Sequence, residues 1–296
     1  TREMFPGRPI DAITNGVHAV TWTAPPFREL YDRAVPGWRE DPSRLAAVAE
    51  LDPGAIAAAH AQAKLRLVEE VNARAHAGFD PGVFTIGFAR RFTAYKRPML
   101  LFHDLDRLRA IARARGPLQI VIAGKAHPRD VEGQRLLEQV VAAQRALRPD
   151  VSVAVLPNYG LALAGILTAG VDLWLNTPRP PWEASGTSGM KAALNGVPQL
   201  STLDGWWVEG HEEGVTGWAI GGDGRPPEAR SDEDDAAELY ETLETTILPL
   251  YHGARDRWNA VCRSTIARNG ARFHTHRMLR EYLERAYAAA PVGARR

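Results

Sequence analysis

The chain has one cysteine, Cys262, in 296 residues. That excludes an internal disulfide and a cysteine-ligated zinc cluster, and it fits a reducing, cytoplasmic compartment. No metal site is expected. Net charge is nearly absent, at +1, so nothing in the charge balance calls for nucleic acid or a membrane surface as a partner. No apolar run reaches the roughly 20 residues that a membrane helix needs. Lysine is scarce as well: Lys64, Lys96, Lys125 and Lys191 are the only lysines among 36 basic residues. The opening has no signal-peptide pattern. It starts at Thr1 and runs into "MFPGRPIDAITNGVHAVTW", which reads as the interior of a longer protein.

Residues 1–50 are rich in Pro, Gly and Trp and read as loops and short helices. From Pro53 to about His76 an alanine-rich stretch without internal Pro predicts a long helix. An alternation follows. "FTIGF", "QIVIAG", "VSVAVL", "DLWLN" and "PQLST" are short apolar strands. Between them lie helical stretches, including one from Pro98, one from Asp130, one over Leu161 to Ala169 and one from about Ser188. Buried strands alternating with helices indicate an α/β fold, a Rossmann-like parallel sheet with helices on both faces. Ligands in such sheets sit at the carboxyl ends of the strands. "IGGDGRPPEARSDEDDA" is a polar linker, and three helical stretches follow it.

In an arginine-rich chain a retained lysine is informative where arginine cannot replace it, since an amine forms an imine and a guanidinium does not. Lys64 lies mid-helix and is expected on a solvated face. Lys96, Lys125 and Lys191 all fall at the ligand edge of the sheet, and Lys191 is a candidate for covalent cofactor chemistry. "GFARRFTAYKRP" sets Arg90, Arg91, Lys96 and Arg97 between a buried strand and the helix expected from Pro98. Backbone amides and the helix dipole would favour an anion there, and arginine forks suit phosphate. "EASGTSGMK" adds a Gly/Ser loop able to approach an anion or a sugar hydroxyl.

Six ordered segments, "ITNGVHAVTW", "ARRFTAYKR", "IAGKAHP", "LPNYGLALA", "EASGTSGMKAALNG" and "LSTLDGWWVEG", span Ile13 to Gly210. Together they resemble the C-terminal catalytic half of the glycogen/maltodextrin (α-glucan) phosphorylase family, in its shorter bacterial branch. The resemblance implies the C-terminal lobe of a two-lobed, GT-B-type glycosyltransferase. Residues 1–80 would form the interlobe hinge, 81–222 the Rossmann-like cofactor and phosphate domain, and 223–296 a linker and C-terminal helices. The N-terminal lobe would be absent, and a homodimer is possible. The implied reaction is phosphorolysis of glycogen or maltodextrin to glucose 1-phosphate with retention, with α-glucan and inorganic phosphate as substrates. The implied cofactor is pyridoxal 5′-phosphate, held as a Schiff base on Lys191, with its phosphate in proton transfer. By the same resemblance Arg91 and Lys96 bind substrate phosphate. Arg90, Thr187 and Ser188 hold the cofactor phosphate, and Tyr159 and Trp22 pack beside the cofactor. Asn15, Glu183, Ser185 and Gly186 bind the transferred glucosyl unit.

The chain departs from the family pattern at Ser188 and Gly189 in the lysine motif, at Gly160 after Tyr159, and at Pro181 and Trp182 ahead of the glutamate. Two rivals remain. A retaining transferase using a nucleotide sugar would carry a glutamate, seven residues and a second glutamate for the donor ribose. Here Glu183 is followed at that spacing by Lys191, which cannot accept ribose protons. A non-catalytic glucan-binding module could use Trp38, Trp182, Trp206, Trp207 and Trp218 for stacking, but it needs no basic cluster. His18 and His127 read equally well as ligands or as structural histidines.

Overall fold

Six short segments of the chain are buried along their whole length or nearly so. They are Phe84–Ala89 (β1), Leu118–Ala123 (β2), Ser152–Leu156 (β3), Leu173–Asn176 (β4), Gln199–Thr202 (β5) and Gly217–Ile220 (β6). The computed structural model, which describes residues 5–222 and 224–288, joins them into one sheet. Its order is β3-β2-β1-β4-β5-β6, and every pairing is parallel.

Alternation within each strand explains the two-sided burial. Phe84, Ile86 and Phe88 of β1, with Ile120 and Ile122 of β2, pack into one apolar cluster. Ala89, Val121 and Ala123 point to the opposite one, with Leu67, Val71 and Trp174. Side chains in a strand alternate between faces, so a sheet apolar on both must be covered on both. The helix Pro53–Ala75 covers one side and packs against the helix Leu161–Gly170. It starts where Asp52 accepts from the Gly54 amide at 3.0 Å with Pro53 in the first turn, and it ends at His76 in a left-handed conformation.

The strand order reverses between β1 and β4. In a doubly wound sheet this is where the loops leaving two neighbouring strands part to opposite faces and open a crevice. The sequence places "ARRFTAYKR" directly after β1 and "RPPWEASGTSGMK" shortly after β4, so both chemistry-bearing loops leave the sheet at that reversal.

Four expectations change. The helix expected from Pro98 begins at Leu105, where Asp104 caps it by accepting from the Arg107 amide at 2.8 Å. Only a short 3₁₀ turn, Leu100–Phe102, precedes it, because the extended backbone at Asp104, φ −131 and ψ 99, separates that turn from the helix. No helix dipole from this element therefore aims at the basic loop. Lys64 is buried rather than solvated. It donates to Asp172 and to the Val83 carbonyl at 2.7 Å. Of the five tryptophans considered for stacking, Trp38, Trp206, Trp207 and Trp218 are core residues. Finally, β6 is unexpected: it opens on Gly217, a residue type depleted in strands, and ends on Ile220, the first residue of the expected linker.

Candidate active site

The residue after β1 is Arg90. It is buried, and its guanidinium donates to the carboxylate of Glu183. Lys96, from the short 3₁₀ turn Ala94–Lys96, donates to the same carboxylate oxygen. Two cations from the loop after β1 thus grip one carboxylate from the loop after β4. Burial pushes the Glu183 carboxyl up, but Arg90 and Lys96 outweigh it and hold it below its ordinary range. Burial likewise pulls Arg90 below its ordinary value, against the opposing pull of Glu183. A guanidinium remains charged under any such shift.

The Glu183 loop is fixed from behind. Asp204 accepts from the amides of Glu183 and Gly205, each at 2.8 Å, and Trp206 donates its amide to the Ser185 carbonyl at 2.8 Å. Burial raises the Asp204 carboxyl. Gly186 sits at φ 82, a conformation that glycine adopts without strain, and turns the chain into the helix Thr187–Ala193, which has no side-chain cap. A Cβ at Gly189 would fall 1.8 Å from Gln199 Oε1, so this helix lies directly on β5.

Arg90, Asn176, Glu183, Ser185, Gly186 and Gln199 are among the residues around a cavity of about 10 Å³, room for about one water. Four polar atoms here are buried without a partner: Arg90 Nη1, Asn176 Oδ1, Ser185 Oγ and Gln199 Nε2. Such atoms cost free energy unless something satisfies them. Their convergence around one carboxylate marks a polar site that its own residues leave incomplete.

Lys191 lies on the helix that Gly186 introduces. Its amine stands 4.0 Å from the centroid of the Trp22 ring. It has no salt bridge among the described residues, and burial lowers its pKa. An amine that loses its proton more readily is the form that adds to a carbonyl. Asn195 holds this pair together: its amide donates to the carbonyls of Trp22 at 2.8 Å and Lys191 at 2.9 Å, and it accepts from the Ala24 amide at 2.7 Å. Asn195, just past the end of the lysine helix, thereby fixes the end of the short helix Ala19–Trp22.

The remaining expected residues fall in several places. Thr187 and Ser188 open the lysine helix, and the Ser188 hydroxyl accepts from Trp174 Nε1 at 3.2 Å. Tyr159 is half-buried; burial raises its hydroxyl pKa and the Arg90 charge opposes the rise. Arg91 is exposed. Asn15 is also exposed, and its carbonyl accepts from Arg277 at 2.9 Å. Arg97 is a structural clamp. It donates to the carbonyls of Thr177 at 2.9 Å and Pro178 at 3.1 Å, and to Asp235 at 2.6 Å, which ties the basic loop to the helix Asp232–Thr242. His18 accepts from the Thr21 amide at 3.3 Å, and His127 accepts from the Arg129 amide at 3.1 Å. Asp204 and Asn195 lie inside the family-like segments, yet each also binds backbone groups distant in sequence, Glu183 for one and Trp22 and Ala24 for the other, which spacing does not show.

These residues fit pyridoxal 5′-phosphate. An amine without a carboxylate partner beside an indole suits covalent attachment to an aromatic aldehyde. An orphaned guanidinium nitrogen and an uncapped helix start suit its phosphate.

A family model described as carbohydrate phosphorylase matches residues 2–218. Among curated relatives, a maltodextrin phosphorylase of Thermococcus litoralis is 38% identical over 97% of this chain and 36% of its own length. A glycogen phosphorylase of Mycobacterium tuberculosis is 39% identical over 97% of this chain and 36% of its own. One of Aquifex aeolicus is 36% identical over 95% of this chain and 44% of its own. The chain thus spans less than half the length of these relatives.

Proposed function

Because the chain belongs to the carbohydrate phosphorylase family, we propose that the whole protein cleaves terminal glucosyl units of glycogen or maltodextrin with inorganic phosphate. The product is glucose 1-phosphate with retained configuration, and this chain supplies the cofactor and phosphate half of the site. The observation that carries the reading is the buried grip of Arg90 and Lys96 on Glu183 at the β1/β4 reversal. A pair of buried cations that converges on one acceptor can hold a phosphate, and the acceptor itself can turn to a sugar.

Lys191 holds pyridoxal 5′-phosphate through its amine, and the cofactor, when bound, supplies a phosphate group for proton transfer beside the departing glycosidic oxygen. Arg90, whose Nη1 lacks a partner, binds phosphate oxygens together with the amides at Thr187 and Ser188. Lys96 and Arg91 offset the repulsion between two phosphates brought close, a task for fixed charges in a dry site. Glu183, released from its cations, accepts hydrogen bonds from glucosyl hydroxyls and stabilises positive charge growing on the ring. Ser185 and Gly186 line the same side, and Tyr159 and Trp22 wall the cofactor. Asn15 reaches the sugar from the hinge, where the lobe supplied by the rest of the protein meets this one. The protein works in the cytoplasm, as its single buried thiol fits, and assembles as a homodimer. A nucleotide-sugar transferase is disfavoured because Lys191 stands where a ribose-accepting carboxylate is needed.

Full-length protein incubated with maltodextrin and phosphate is expected to release glucose 1-phosphate, and borohydride reduction is expected to fix the cofactor on the Lys191 peptide. Glucosyl transfer that requires a nucleotide sugar, or a label on another lysine, would overturn the proposal.

A further inference from the structure

Of eight tryptophans, Trp182 alone is exposed, at 64%. It stands beside a cavity of about 360 Å³ lined by Tyr95, Met99, His103, Arg179, Trp182 and Asp232, among others. We propose that this cavity is a second α-glucan subsite, in which Trp182 is the platform for a glucosyl ring. The proposal rests on the reading that the protein acts on α-glucan, and it assigns that substrate a place separate from the phosphate site.

Four observations support it. The volume lies within the range of about 300–1,000 Å³ usual for small-ligand sites. The walls are aromatic and set at an angle: the Tyr95 and Trp182 rings lie 6.3 Å apart at 46°. An exposed indole offers a flat apolar face with a polar edge, which suits the C–H face of a pyranose. The rim is made of planar polar groups. Arg179 donates to Asp232 at 2.6 Å, and His103 lies 3.5 Å from Glu233. Paired guanidinium and carboxylate groups retain donors and lone pairs for neighbouring hydroxyls. Location is the fourth. Tyr95 precedes Lys96, and Trp182 precedes Glu183, so the loops that build the phosphate site also build this cavity from their adjacent residues.

The same chemistry argues against a nucleotide. A base could stack on Trp182, but its phosphates would need free cations, and both arginines here are already paired. Arg97 and Arg179 share Asp232, and Arg97 also holds Asp235. A neutral polyol needs no counter-charge.

The test uses full-length holoenzyme and two glucans, maltotriose and maltoheptaose. Trp182→Ala is expected to raise KM for maltoheptaose about tenfold, the usual effect of truncating one anchoring aromatic. KM for phosphate and kcat should hold, and maltotriose should be little affected. Trp182→Phe should restore most of the loss. Maltoheptaose should also quench tryptophan emission in the native protein, and the quench should vanish in Trp182→Phe. Equal kinetics for native protein and Trp182→Ala with both glucans, an unchanged quench, or emission that responds to adenosine nucleotide and not to maltoheptaose would overturn the subsite. The quench needs no turnover. A Trp182-dependent quench without glucose 1-phosphate formation would defeat the proposed reaction and leave the subsite standing, and turnover indifferent to Trp182 would do the reverse.

Discussion

Strand β4 has a carboxylate gripped by two basic side chains near each end, fully buried at Asp172 and partly buried at Glu183. Asp172 lies just before it and Glu183 lies in the loop that follows. At the amino end, Asp172 accepts from Lys64, from His60 at 3.1 Å and from the Thr85 amide at 2.7 Å. Lys64 spends its other hydrogens on the Val83 carbonyl and, at 3.2 Å, on the Tyr251 hydroxyl. Only His60 Nδ1 is left without a partner in that cluster. At the carboxyl end, four buried polar atoms around Glu183 lack partners. A saturated cluster is complete as folded, and its work is to join the helix Pro53–Ala75 to the sheet. An unsaturated one is built for a group that arrives later. Buried charge alone does not separate staple from site; the orphaned donors and acceptors do.

The largest effect should come from breaking the staple. Asp172→Asn leaves the Lys64 ammonium buried without a counter-charge, which costs about 3–5 kcal/mol. Urea unfolding should show that loss, while the folded fraction keeps its kcat. A loss of turnover without a loss of stability would show that the amino end belongs to the chemistry and would erase the distinction.

Glu183→Gln should invert the pattern. Loss of a charge that acts in the transition state costs about 10²–10³ in kcat. Stability should depend on what fills the gap. With the carboxylate gone, Arg90 and Lys96 take an added anion, so inorganic phosphate should raise the melting temperature of this variant more than that of the native protein. The same addition should move Asp172→Asn no more than it moves the native protein. If both variants ignore phosphate, Glu183 is a second staple.

Much of this was legible in the sequence, and the reasons differ from residue to residue. The first five strands showed because continuous apolar runs between helical stretches have few other readings. Arg90, Lys96, Glu183 and Lys191 stood out through residue type and motif. Lys64 did not, because its partner lies 108 residues away, and a helical lysine carries no local sign of it. Arg97 looked like its neighbours Arg91 and Lys96, but its left-handed backbone turns it toward Asp235. Four tryptophans read as stacking candidates were core residues, and the exception is Trp182. Asn195 and Asp204 also bind backbone groups of Trp22, Ala24 and Glu183 that come near only in the folded chain.

The smallest expected effect is in the acid limb, and its sign follows from the shifts. Burial raises both carboxyls, but their cations win, so both pKa values lie below the ordinary 3.8 of Asp172 and 4.5 of Glu183. A lowered folded pKa adds stability that is complete above the ordinary value and is lost as pH falls through the folded one. Native protein should therefore weaken below about pH 4, and each variant, Asp172→Asn and Glu183→Gln, should show a flatter acid limb. Phosphate then divides the two ends. As Glu183 takes a proton it releases Arg90 and Lys96, and dihydrogen phosphate, still an anion, can replace it. Nothing replaces Asp172, whose surroundings are closed. In thermal melts, the stabilisation that phosphate gives native protein should grow as pH falls below about 4, and the growth should disappear in Glu183→Gln, whose cations are already free. A growth that survives in Glu183→Gln would mean that the anion binds elsewhere on the chain.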